Sequence, residues 1–240
     1  MNSFAMIKHF LRVLMYYKIN FIFTLGVPVG SIIYTMRGYI FHMSNQQIVQ
    51  THIGYWISYM VVLYAIMNSG PSLVILREEQ FLKMFLFISG SVRSILCAKF
   101  ISQFLLLSIS VLILDILSCL LFGLPIIRLF IQSILLIILC SPPIFSLFLF
   151  FAALPLRQET ITPLINVLIF CFIFLSVSQI NHLLIFVNPI DYTFQIARFL
   201  FGVTVFHAVR LWLPITVTLF YLLIGAFAVK KMRFLPIFRN

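Results

Sequence analysis

The chain has 240 residues, 63% of them hydrophobic and only 9% charged, and 28 are Phe. An ordinary soluble chain is roughly 45–50% apolar and about 25% charged. This composition therefore excludes a soluble globular domain: so few charges cannot cover its outside, and so many rings cannot share one core. Sixteen Lys and Arg against five Asp and Glu give a formal charge of +11. No basic run interleaves with aromatics as a nucleic-acid groove would, so the excess points to membrane headgroups and orientation, and nucleic acid is not an expected partner.

Residues 1–18 place Phe4, Ile7, Leu11 and Leu14 at helical spacing, with Lys8 and Arg12 on another face. That pattern fits an amphipathic helix along the membrane interface, and equally a positively flanked anchor. No small-residue cleavage site follows, so the apolar stretch from Ile19 to Met36 reads as a retained first span. A spanning helix needs about 20 mostly apolar residues, and five more such stretches follow. The second runs from about Ile53 to Leu76 and the third from Ile95 to Phe122, ending at the turn Gly123-Leu124-Pro125. The fourth covers about Leu129 to Leu156 with Pro142-Pro143 inside it, the fifth Thr162 to Ser178, and the last Leu211 to Val229. The expectation is an all-α polytopic membrane protein of six transmembrane helices, forming a single domain over residues 1–240.

Six spans put both termini on one side. Twelve basic residues (Lys8, Arg12, Lys18, Arg77, Lys83, Arg93, Lys99, Arg157, Lys230, Lys231, Arg233, Arg239) fall on that side and four (Arg37, Arg128, Arg198, Arg210) on the other. The positive-inside bias makes the first side cytoplasmic. Trp56 and Trp212 then open the second and sixth spans at the outer interface, where aromatic belts occur.

Two further regions stand out. In residues 77–92, Arg77-Glu78-Glu79-Gln80-Phe81-Leu82-Lys83-Met84-Phe85 places two of the five acidic residues beside bulky apolar ones and ends near Gly90. Carboxylates near a membrane must face water or a partner. A short cytoplasmic helix that docks a partner and an interfacial loop that satisfies its charges through Arg77 or Lys83 both fit. Residues 181–210 are too apolar for an exposed loop, yet Asn188-Pro189, Asp191, Arg198 and Gly202 break them. Short re-entrant helices on the outer side reconcile these facts. Asn188 is then a helix-start signal, Asp191 complements the helix dipole, and Tyr192 and Arg198 anchor the helix at the interface.

Asp115 is the one acid well inside a span; pairing with Arg128 across the short turn is favoured over cation recognition or proton coupling. Cys97, Cys119, Cys140 and Cys171 lie singly in apolar stretches and read as small buried hydrophobes. His182 and His207 have no second ligand at metal spacing, so no metal site is expected.

The residues 1–18 segment, Arg77-Glu78-Glu79 with Gly90 and Lys99 downstream, and Asn188-Pro189-Ile190-Asp191-Tyr192 with Arg198 and Gly202 together resemble the membrane subunit of bacterial ATP-binding-cassette exporters, the six-span type-2 permeases. The resemblance implies a bacterial inner-membrane protein with both termini cytoplasmic. The segment after the second span would be the coupling helix: Glu78 or Glu79 would pair with a basic residue of a cytoplasmic ATPase, and Phe81, Met84 and Phe85 would fill its groove, beside Arg77 and Lys83. The chain has no phosphate-binding GxxxxGK[ST] loop. It is therefore not expected to be an enzyme itself, and ATP and Mg belong to a separate ATPase subunit. A second permease chain, identical or different, would complete the path.

The family lines that path with its second and fifth spans. Ser58, Val62, Ala65, Ser69 and Ser72 form a small-residue face on the second span, and Asn166, Phe170 and Phe174 follow one another on the fifth. Close helix packing and lipid contact explain the same spacings. Asn188, Pro189, Asp191, Tyr192 and Arg198 would form an outer gate. The implied cargo is amphipathic or apolar, such as a peptide, toxin or drug; a lipid-linked polysaccharide is the alternative. Of other classes, Glu78-Glu79-Gln80-Phe81-Leu82-Lys83 resembles the paired glutamates of intramembrane CAAX-type proteases, with Lys83 in place of Arg and no FxxxH or HxxxN following. A secondary transporter would want repeats or more buried charges.

Overall fold

A computed structural model describes residues 3–16, 18–40, 46–178, 188–202 and 212–232. The described residues are mostly helical, without strands. In chain order the helices are α1 (Ser3–Tyr16), α2 (Lys18–Thr35), α3 (Gln46–Asn68), α4 (Gly70–Glu78), α5 (Phe81–Ser89) and α6 (Val92–Phe122), then α7 (Ile126–Phe148), α8 (Phe150–Ala153), α9 (Gln158–Ser178), α10 (Pro189–Leu200) and α11 (Trp212–Lys231). Five stretches are long and apolar enough to cross a membrane: Gln46–Glu78, Val92–Phe122, Ile126–Ala153, Gln158–Ser176 and Trp212–Lys231. The stretch expected as the first span is the 18-residue α2, whose Thr24–Thr35 portion is a shorter apolar helix.

Local chemistry sets the breaks. Gly123 closes α6 in the left-handed region at φ 64°, with its N–H on Cys119 O. Ser91 opens α6 by accepting a hydrogen bond from Ser94 N at 3.2 Å. Pro142 and Pro143 stay inside α7, as neighbouring helices at membrane depth permit. Between α4 and α5 the chain turns at Gln80, whose φ of 65° is left-handed and costly for a side chain that is not Gly. Gly90 ends α5 at φ 69°.

The long α3–α4 stretch is the centre of the bundle: 72% of its most apolar window is buried, against 11% for α9. α3 packs on α2, α6, α7 and α10, while α11 lies along α7. Gly225 makes the α7–α11 approach close, since a Cβ there would stand 2.6 Å from Ser146 Cβ. A second, smaller core gathers Met6 and Phe10 of α1, Leu82 and Phe85 of α5, Ile95 and Ala98 of α6, Phe145, Ala152, Ala228 and Met232. It draws together the end of the bundle where Lys8, Arg12, Lys83, Arg93, Arg157, Lys230 and Lys231 lie exposed. The side expected to be basic is thus one physical end of the fold.

Several expectations are corrected. Asp115 does not pair with Arg128. It is buried and accepts a hydrogen bond from Ser133 Oγ at 3.2 Å, while Arg128 is exposed. Asp115 lies two helical turns before the end of α6 and Ser133 two turns into α7, so the two are level, whereas Arg128 sits in the first turn of α7. Cys97 and Cys171 are exposed; Cys140 alone of the four is fully buried. Trp56 is ten residues into α3, packed edge-on against Tyr55 and Tyr59, rather than at the start of a span. Trp212 does open α11 and is 72% exposed. His182, His207 and the outer segments flanking α10 lie outside the described residues.

Candidate functional site: the α4–α5 elbow and the α10 node

α5 is apolar on both faces apart from Lys83, and offers one face outward. Leu82 and Phe85 are buried, with the Phe85 ring 5.4 Å from Phe10 and 5.5 Å from His9 of α1. Phe81 and Met84 are each 45% exposed, Phe87 is 92% exposed, and Lys83, Glu79 and Gln80 are also at the surface. Phe85 is therefore core and does not belong to the outward set; Phe87 replaces it. Residues 81–88 are almost wholly apolar, so two helical faces were equally legible. The contact with α1 decides between them.

Arg77 points inward. It is 1% exposed, and its Nε donates to Glu78 Oε1 at 3.1 Å. Its Nη1 donates to Leu154 O at 3.3 Å and its Nη2 to Leu156 O. The guanidinium fork thus takes up carbonyls left open at the end of α8 and holds them to the elbow. Arg77 and Glu78 form a staple, consistent with the expectation that Arg77 satisfies one of the two glutamates. Glu79 remains exposed at the turn.

The break in the second span lies just above. Gly70 packs its backbone against the α7–α8 junction, where a Cβ would fall 2.0 Å from Phe148 O. Lys99 of α6 donates to Ser72 Oγ, and its ammonium lies 5.3 Å from the Phe10 ring centre. In the sequence Lys99 counted as a mark of sidedness and as part of the pattern downstream of Glu78-Glu79, with no contact assigned to it. Its register with Ile95 and Ser102 on the buried face of α6 was the available signal.

The small-residue face of α3 is packing surface. Ser58 is fully buried and returns its hydroxyl to Gly54 O at 2.7 Å; Val62, Ala65 and Ser69 are buried too. Ser72 is engaged by Lys99. These serines do not line an open path. Val62 of that face, with Tyr59 and Leu63, also borders a narrow cleft against Ile169, Phe172 and Ile190. Asn166, Phe170 and Phe174 point away from the bundle, Phe170 and Phe174 being 73% and 70% exposed.

At the opposite end, Asn188 caps α10 as its sequence suggested. Its Oδ1 accepts from Ile190 N at 3.0 Å, while its Nδ2 donates to Phe172 O at 3.0 Å and to Asp191 Oδ2 at 2.8 Å. Pro189 occupies the first turn. Tyr192 is not an interfacial anchor: it is 1% exposed, with its hydroxyl 2.6 Å from Thr218 Oγ1 of α11 and its ring against Tyr221. Arg198 is exposed and lies over the Phe194 ring at 6.0 Å. The node ties α9, α10 and α11 together.

No protein-family model, curated protein or solved structure matches this chain. By its fold it is a helical protein with several helices fit to cross a membrane, a basic end carrying a short helix with an exposed apolar row, and a capped short helix at the other end.

Proposed function

We propose that the chain is the six-span transmembrane subunit of an ATP-driven bacterial exporter, with α2 as the first span, the basic end in the cytoplasm, and α5 as the helix that docks a separate ATPase. The observation that carries this reading is α5 itself: a nine-residue helix whose inner face is fixed to α1 and whose outer face presents Phe81, Met84, Phe87 and Lys83 beside Glu79. An exposed apolar row next to charges at the basic end is a partner surface. Arg77 joins the elbow to the stretch leading into α9, so displacement of α5 reaches the α3–α9 seam.

Export by alternating access requires cargo to be bound differently in two states. The cleft of Tyr59, Val62, Leu63, Ile169, Phe172 and Ile190 is the surface that separation of α3 and α9 would expose to an amphipathic or apolar cargo such as a peptide, toxin or drug. A second permease chain, identical or different, would complete the enclosure. ATP and Mg would be held by the ATPase.

Co-expression with an exporter-type ATPase from the same genome tests the docking surface. Glu79→Lys combined with Phe87→Ser is expected to reduce co-purified ATPase at least tenfold while leaving membrane insertion intact. Undiminished co-purification would remove α5 as the docking helix.

A further inference from the structure

α9 is the membrane stretch least held by its own bundle: 11% of its most apolar window is buried, against 22% to 72% for the other four. Ile161 and Ile165 turn inward, while Glu159, Pro163, Asn166, Phe170 and Phe174 are exposed and follow one another at helical spacing, as one outward stripe.

An apolar outward stripe needs nothing but lipid. The outward sides of α6 and α7 are of that kind, with Leu105, Ile109 and Leu112 on the first and Ile131, Leu135 and Ile138 on the second. Asn166 sets α9 apart. Among the described residues of the five stretches it is the one exposed side-chain amide more than a turn from an end. It lies eight residues into α9, roughly 12 Å along the helix, too deep for so short a side chain to reach the headgroups. Thr216 and Asn68 satisfy themselves on their own helices, donating to Leu213 O at 2.8 Å and Tyr64 O at 3.0 Å. Asn166 makes no such bond, and no other described residue pairs with it. The stripe is bounded by described residues on both sides: outward α9 runs on to Ser178, roughly 18 Å from Asn166, and inward the chain is described back through Arg157.

An unpaired amide turned toward lipid is costly, and amides in such positions join one helix to another. Because an amide both donates and accepts, a second amide satisfies it, and a two-fold axis along the membrane normal brings two copies of the same residue level. The inner end of the stripe is complementary to itself as well. Arg157 and Glu159 are both exposed there, so the axis sets opposite charges of two copies side by side where the helices leave the apolar zone. Phe170 and Phe174, 73% and 70% exposed, supply the apolar contact further out.

We propose that α9 is the pairing surface for a second copy of this chain, with the two Asn166 amides bonded to each other across the axis. An interface of one stripe with itself closes at two copies. Its use in enclosing cargo rests on the exporter reading above; the pairing itself does not.

The test uses the full chain, purified and reconstituted at high lipid dilution into zwitterionic liposomes without any ATPase. Cys97→Ser and Cys171→Ser remove the two exposed thiols. In that background Phe174→Cys is oxidised with copper phenanthroline, and covalent dimer is read on a denaturing gel. Phe174→Cys is expected to cross-link, and Leu135→Cys, outward on α7, to remain monomeric. Adding Asn166→Leu to Phe174→Cys is expected to lower the yield about fivefold or more, and Asn166→Gln, which keeps the amide, to retain most of it. No dimer with Phe174→Cys, an equal yield with Leu135→Cys, or an undiminished yield with Asn166→Leu overturns the proposal; should the Asn166→Leu chain fail to insert, the contrast between Phe174→Cys and Leu135→Cys decides alone. Because no ATPase is present, loss of docking at α5 leaves this result untouched, and a monomeric chain leaves the docking result untouched.

Discussion

Arg77→Ala is expected to lower the melting temperature of the purified chain by roughly 10 °C, on the order of 3 kcal/mol. The guanidinium is 1% exposed and serves three acceptors at once: Glu78 Oε1, Leu154 O and Leu156 O. Removing it takes one partner from Glu78 and this donor from two carbonyls, and buried acceptors cost more unpaired than their bonds contribute when made. The elbow at Gln80, held in a left-handed turn at φ 65°, loses its tie to the end of α8 and is expected to become the first site of limited proteolysis. Arg77→Lys restores the charge without the planar fork and is expected to recover only part of the loss. An Arg77→Ala protein that melts like the parent would show that the staple carries no stability.

Gly70→Ala is expected to be as damaging or worse. The added Cβ would lie 2.0 Å from Phe148 O and 3.1 Å from Ala152 N. Both are backbone atoms, so no side chain can swing aside, and α4 must move away from the α7–α8 junction as a unit. Overpacking of this kind costs about 3 kcal/mol or more when nothing flexible gives. The displacement would also pull Ser72 from Lys99, leaving an ammonium buried with the Phe10 ring. Gly26→Ala, where an added Cβ meets nothing within 4 Å, is the matched control and is expected to be neutral or mildly stabilising. Size-exclusion profiles and melting curves of the two variants decide the matter; equal behaviour would mean the α4 contact is looser than described.

The helical class and the breaks between helices were legible because they rest on local chemistry. Gly123 ends a helix through its φ, Asn188 begins one through its side chain, and charges fall where helices leave the apolar zone. Which face of a helix turns inward was not legible where every face is apolar. Phe85 and Phe87 are alike in the sequence, and only the aromatic contacts of Phe85 with His9 and Phe10 place it in the core. Small residues were ambiguous in the same way: Ser58 and Ser69 suit a path and a tight helix contact equally, and both are buried here. Asp115 failed for a different reason. Sequence proximity favoured Arg128, but an antiparallel pair of helices brings level residues together, and Ser133 is level with Asp115. The Arg77 staple reaches across 77 positions to Leu154, and no spacing rule could have found it.

The central claim is that a partner ATPase works through α5, and ATP turnover by the reconstituted complex measures it most directly. The chain and an exporter-type ATPase from the same genome, placed together in proteoliposomes, are expected to hydrolyse ATP several-fold faster than that ATPase alone. Replacing Phe81, Met84 and Phe87 with Ser is expected to return the rate to that of the ATPase alone while the chain remains inserted and folded. Hydrolysis equally fast with the triple variant, or an ATPase indifferent to the chain, would contradict the account.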